Sequence, residues 1–166
     1  MKKEVIDSCL CFVLSSDDYC LMLKRTRPPH QGLWNAPGGK LRPGEDSETA
    51  CRRELLEETG LTPLVRPAGM LDCLDRLRPG WVYRLHLFTA SHQRVTIDPS
   101  EEGEFAWLPL ARVLAGKGFV HNIPLFLPAI LTGQSIQARF NYAGSYLETY
   151  SVNFAAGGQG FPISTI

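Results

Sequence analysis

Neither sign of charge prevails in this 166-residue chain, where 17 Lys and Arg balance 17 Asp and Glu. A surface without a net field offers no broad footprint for a nucleic-acid backbone or an anionic membrane. No stable nucleic-acid partner and no membrane partner is therefore expected, although a small phosphorylated ligand needs only a local site. Long apolar runs are also missing, and nothing approaches the roughly 18 residues of a spanning helix. The opening MKKEVIDSCLCFVLSS has a basic start and an apolar stretch, but Glu4 and Asp7 interrupt it. Val5, Cys9, Cys11 and Val13 alternate there as in a strand, which argues against a secretory signal. The five Cys are scattered and form no CxxC pair, so neither a zinc site nor a disulfide framework is expected. The four His show no ligand spacing either. These absences together point to a reducing, cytoplasmic location.

What is present is the composition of a globular domain, 44% apolar and 20% charged. No linker, repeat or low-complexity tract divides it, so residues 1–154 are read as one domain and the Gly-rich stretch 155–166 as a tail expected to fray. Residues 4–14 read as a strand, and 19–25 as its hairpin partner after a turn at Ser15–Asp18. Arg27 to Gly44 is rich in Pro and Gly and reads as a long functional loop. Asp46 or Ser47 caps a helix that runs to Thr59 and stops at Gly60. Strands are predicted at 61–75, with a break at Pro67, at 81–90 and at 104–108, then a helix at 123–131 and a hairpin over 137–142 and 147–154. This order describes an α/β or α+β sheet with helices packed on it.

Residues 39–61 read GKLRPGEDSETACRRELLEETGL. On a helix, Glu54, Glu57 and Glu58 stand at i, i+3 and i+4, which brings three carboxylates to one edge. Such neighbours repel unless a cation offsets them, and hard oxygen donors favour Mg²⁺, or Mn²⁺, over zinc. A cation of this kind also offsets phosphate charge and acidifies an attacking water. Arg53 lies one turn before Glu57 and is placed to orient carboxylates. A merely solvated acidic helix face is the alternative.

The whole segment decides between the two. It resembles the Nudix box, G-x5-E-x7-R-E-U-x-E-E-x-G-U with U apolar, at every specified position from Gly39 to Leu61. A chance match in a chain of this length has odds of about one in ten million, so a coincidental face is set aside. The resemblance implies a Nudix α/β/α sandwich with a mixed β-sheet in a single domain. It implies a Mg²⁺-dependent hydrolase of phosphoanhydride bonds, and the Gly39 carbonyl as a metal ligand beside Glu54, Glu57 and Glu58.

Flanking segments resemble the MutT-type branch, whose members act on oxidised purine nucleoside triphosphates such as 8-oxo-dGTP. LWNAPGGKL places Asn35 four residues before the box glycine, where relatives contact the base, with Trp34 beside it. Asn35 can equally hold its own turn. SEEGEFAWLPL resembles the segment that supplies a further metal-binding Glu, and Glu102 and Glu101 match by their spacing from Trp107. VHNIPLFLPAIL places Asn122 at a helix start that lies near the base in relatives, although Asn there is also a good N-cap. Mammalian members of the branch have paired Asp residues here, so their base chemistry does not carry over to Asn122-Ile123. Arg25 and Lys24 occupy positions similar to phosphate-contacting basic residues.

The expected partner is a small-molecule nucleotide, and the expected state a monomer or homodimer. The competing readings are a nucleoside diphosphate sugar pyrophosphohydrolase, a hydrolase of capped RNA ends and a non-catalytic nucleotide sensor.

Overall fold

Alternating residues near the start build strand β1 (Glu4–Leu14), and the chain returns as β2 (Tyr19–Arg25), as the sequence predicts. The structure is a computed structural model that describes residues 3–155. The Pro- and Gly-rich stretch is not the featureless loop its composition predicts. It contains β3 (Trp34–Asn35) and β4 (Gly38–Lys40), which pair antiparallel with β2 and β1 respectively. Strands this short have little intrinsic preference, and they form because a completed neighbour offers them a hydrogen-bonding edge.

Helix α1 (Ser47–Thr59) begins at Asp46, whose carboxylate accepts a hydrogen bond from the Thr49 amide at 2.9 Å. It ends at Gly60, which adopts φ 72° and donates its N–H to the Leu56 carbonyl. Strand β5 (Val65–Asp75) starts four residues later than its apolar pattern predicts, after Pro63 has removed a backbone donor. The expected break is a shift of register between Pro67 and Gly69. Then come β6 (Trp81–Ser91), β7 (Gly103–Pro109), a short helix α2 (Leu110–Ala115), α3 (Ile123–Ile130), β8 (Ile136–Ala143) and β9 (Tyr146–Phe154). Helix α2 has no counterpart in the sequence reading, because it has no side-chain cap and spans only six residues.

The sheet runs β3-β2-β1-β6-β5-β8-β9, with β4 on β1 and β7 on β2. It is mixed, since β1 with β6 and β5 with β8 are parallel while the other pairs are antiparallel. Successive residues of β1 face opposite layers. Cys9, Cys11 and Val13 pack with Cys51 and Leu55 of α1, whereas Leu10 and Phe12 pack with Phe126 of α3. Phe126 sits edge-on between Phe12 and Phe140, with ring centroids 5.8 and 6.3 Å away. The result is the α/β/α sandwich expected from the sequence. All five cysteines are free, four of them buried. Among the described residues, no helix is long and apolar enough to cross a membrane. Of the stretch 155–166 read as a fraying tail, only Ala155 is described, and its amide donates to the Ser135 carbonyl; the rest lies outside the described residues.

Candidate active site

Helix α1 carries its acidic residues on the edge facing β4, as the i, i+3, i+4 spacing requires. Arg53 organises that edge from a position only 15% exposed. Its guanidinium donates to both Glu45 oxygens at 2.8 and 2.9 Å, to Glu54 at 2.7 Å, to Glu57 at 3.2 Å and to the Lys40 carbonyl at 3.2 Å. The fork to Glu45 is the bidentate geometry in which Arg binds carboxylate best. Arg53, followed by the Arg42 amide, holds the Glu45 carboxyl down at about 2. Arg53 therefore orients carboxylates, as its spacing predicts. Glu45 thus holds Arg53 in place, a role that helix spacing does not reveal and that only its fixed position in the box signals.

Two glycines bring the backbone of β4 against this edge. Gly38 has φ 153°, and a Cβ there would lie 2.0 Å from the Cys9 carbonyl oxygen. A Cβ on Gly39 would instead meet the Glu54 carboxylate at 2.4–2.7 Å. The Gly38 amide donates to Glu58 at 3.1 Å. Burial pushes the Glu58 carboxyl up to about 8; the Glu54 and Glu102 charges add to this, while the Gly38 amide and Arg25 oppose it. Glu57 is the most exposed of the three helix acids and also pairs with Arg42 at 3.2 Å.

Residues distant in sequence complete the rim. The Thr26 hydroxyl donates to the carbonyls of Glu101 and Glu102, which docks their turn beside the end of β2. Glu102 then lies 3.6 Å from the Arg25 guanidinium, while the Glu101 side chain is exposed. Arg25 is anchored by its Nε, which donates to the Pro29 carbonyl at 2.8 Å. Strand alternation sends Lys24 to the opposite face, where its ammonium stands 6.0 Å above the Trp34 ring. The two basic residues paired in the sequence reading thus separate, and Arg25 is the one beside the carboxylates.

On that opposite face, Trp34 is bound to a segment far along the chain. Its amide donates to the Gly118 carbonyl and its carbonyl accepts from Val120, both at 2.9 Å. Asn35 and Asn122 consequently lie on adjoining segments, with no hydrogen bond between them among the described residues. The Asn35 side chain accepts from the Ala36 amide at 2.9 Å, which is the turn role weighed for it. Asn122 differs from its alternative reading: it is buried, 6% exposed, and makes no cap hydrogen bond to α3.

Glu54, Glu57, Glu58 and Glu102 form an all-oxygen donor set suited to a hard divalent cation. The missing Gly39 side chain lets the Glu54 carboxylate press against β4, and the Glu54 and Glu102 charges add to the burial that raises Glu58, a concentration of acidic oxygens that fits such an ion. Among the described residues no three carboxylates close around a single point, because Arg53 holds Glu54 and Glu57 in ion pairs.

The profile of the NUDIX domain family matches residues 6–127. The chain is 30% identical over 139 residues to an uncharacterized Nudix hydrolase, YvcI, of Bacillus subtilis, covering 70% of this chain and 84% of that protein. It is 29% identical over 114 residues to an oxidized purine nucleoside triphosphate hydrolase of Danio rerio, covering 68% and 72% of the two chains. The crystal structure of a MutT protein from Bacillus halodurans superposes with a TM-score of 0.74 at 25% identity, over 89% of this chain and 97% of that one. With its full box running from β4 through α1 and a sandwich of MutT-like architecture, this chain belongs to the NUDIX family and is a Nudix hydrolase.

Proposed function

We propose that the chain hydrolyses an oxidised purine nucleoside triphosphate such as 8-oxo-dGTP, giving the monophosphate and pyrophosphate, with Mg²⁺ as cofactor and Mn²⁺ as a substitute. The observation that carries the reaction is the convergence of α1, the Gly38-Gly39 backbone, Glu102 and Arg25 on one edge of the sheet. Glu54, Glu57, Glu58, Glu102 and the Gly39 carbonyl are the groups that would hold the metal, and Arg53 orients them. When bound, a divalent cation offsets the charge of the phosphates and makes an attacking water more acidic. Arg25 draws the phosphate chain towards that edge, and Lys24 adds positive charge on the Trp34 side. A carboxylate of the α1 cluster takes the proton of the attacking water. Trp34, Asn35 and Asn122 form the base end, a reading supported by the likeness to the Danio rerio enzyme. The partner is a small nucleotide, and the protein acts as a monomer or homodimer in the cytoplasm.

The test is turnover of a nucleotide panel with Mg²⁺, with phosphate and pyrophosphate release measured separately. Oxidised purine triphosphates are expected to lead and to release pyrophosphate. Faster turnover of UDP- or ADP-sugars would overturn the substrate, and binding without hydrolysis across the panel would favour a sensor.

Of the two acids that sequence spacing left equivalent, Glu102 is read as the metal-binding one, a reading supported by its place 3.6 Å from Arg25. Glu102→Gln is expected to weaken the apparent Mg²⁺ affinity at least about tenfold in a metal titration of activity. Glu101→Gln should leave it within about twofold, because solvent screens an exposed charge. Equal effects from both would remove Glu102 from the metal site.

A further inference from the structure

Glu102 leaves the backbone from a tight turn, and that turn is gripped from two sides. Ser100 and Gly103 exchange backbone hydrogen bonds at 2.9 and 3.2 Å, which puts Glu101 and Glu102 at the corners. The peptide between those two residues is fixed at each end. Its carbonyl, on Glu101, accepts from the Thr26 hydroxyl at 3.2 Å, and its N–H, on Glu102, donates to the Ser100 hydroxyl at 3.1 Å. The Thr26 hydroxyl also reaches the Glu102 carbonyl at 3.2 Å, and the Thr26 amide donates to that same carbonyl at 3.0 Å. Gly103 lets the two backbones come this close: it has φ 146°, and a Cβ there would collide with the Lys24 carbonyl oxygen. The ion pair beside the turn does not supply the hold. Arg25 and Glu102 stand 3.6 Å apart and the Glu102 side chain is 43% exposed, so solvent screens the attraction. The direction in which Glu102 projects is therefore set by the turn, and the docking of the turn by Thr26.

We propose that Thr26 is a positioning residue for the divalent cation, whose hydroxyl docks the turn so that Glu102 already faces the α1 carboxylates before the ion arrives. The inference rests on the reading of Glu102 as a metal ligand and deepens it. A carboxylate held in place binds an ion more tightly than one that must first be ordered, and the groups that orient a ligand side chain share in its effect. The Thr26 hydroxyl has a single hydrogen, and it is directed at the turn, so Thr26 acts on the ion only through Glu102.

Thr26→Val keeps the branched shape and removes the hydroxyl, whereas Thr26→Ser keeps the hydroxyl. Mn²⁺ is titrated into the full chain without nucleotide, and the free ion is followed by electron paramagnetic resonance. Thr26→Val is expected to weaken Mn²⁺ binding about 3- to 10-fold, and Thr26→Ser to stay within about twofold of wild type. In a Glu102→Gln background, Thr26→Val should change the affinity by less than about twofold, because the group it positions is gone. A general loosening of the fold would weaken the ion equally with Glu102 present or replaced, and that result overturns the proposal. Unchanged affinity in Thr26→Val, when Glu102→Gln alone weakens binding, overturns it as well and leaves the reading of Glu102 standing. Unchanged affinity in Glu102→Gln overturns that reading, and the role of Thr26 with it. If Thr26→Val does not fold, Ser100→Ala releases the other end of the same peptide. It should weaken Mn²⁺ in the same direction by less, and only while Glu102 is present; an unchanged affinity there overturns the proposal.

Discussion

Glu58→Gln is expected to lower kcat by about 10²- to 10⁴-fold, the range over which a positioned carboxylate contributes to such a step, while the protein stays folded. The substitution keeps the shape of the side chain and its acceptor for the Gly38 amide, so β4 stays docked on α1. What it removes is charge where Glu54 and Glu102 already crowd. A second readout separates this from simple misfolding. Glu58 titrates near 8 in the fold against an ordinary value of 4.5. The folded state therefore binds the proton more tightly than the unfolded one. Its contribution to stability is fully present below pH 4.5 and is lost as the pH rises towards 8. Without divalent metal, the wild-type melting temperature should decline across that window more than that of Glu58→Gln. With Mg²⁺ the wild type should recover at the alkaline end and the variant should recover less. Turnover within a few-fold of wild type would remove Glu58 from the reaction.

Gly38→Ala and Gly39→Ala are expected to fail in different ways, although the residues are adjacent and chemically the same. The new methyl at Gly38 would lie 2.0 Å from the Cys9 carbonyl oxygen, against the backbone of the central strand, at a φ of 153° that L residues rarely adopt. Neither the strand nor the dihedral can give way cheaply, so Gly38→Ala should cost about 3 kcal/mol or more of stability. The methyl at Gly39 meets only the Glu54 carboxylate, the far end of a flexible side chain. Gly39→Ala should therefore fold with a small loss of stability while displacing Glu54 from β4, with turnover falling about tenfold or more. Urea denaturation and kcat, measured on both variants, check the contrast. Similar denaturation midpoints would show that β4 is not pressed against β1 as the structure has it.

The readings that held depend on local physics. Alternation at β1, the hairpin to β2, and the cap and stop of α1 follow from residues within a turn or two of one another. The three acids of α1 share an edge because a helix puts i, i+3 and i+4 there whatever surrounds it. The readings that failed needed a partner. β3 and β4 exist because β2 and β1 offer them edges, and the short α2 has neither length nor cap to announce it. No local pattern could say that Lys24 and Arg25 part to opposite faces around Trp34 and Glu102, or that Asn122 turns from the helix it precedes towards Cys73.

By itself the sequence determined the family, the sandwich and the hydrolase class, because helical periodicity and a 23-residue pattern, Gly39 to Leu61, carry them within one continuous segment. Tertiary structure alone decided which distant groups meet that segment. Glu102 rather than Glu101 stands beside Arg25 because the Thr26 hydroxyl holds their turn against the end of β2. The Asn122 amide lies 3.9 Å from the Cys73 thiol of β5, a residue 49 positions away in the chain. Such encounters depend on strand order and register, which residues far apart in the chain settle together.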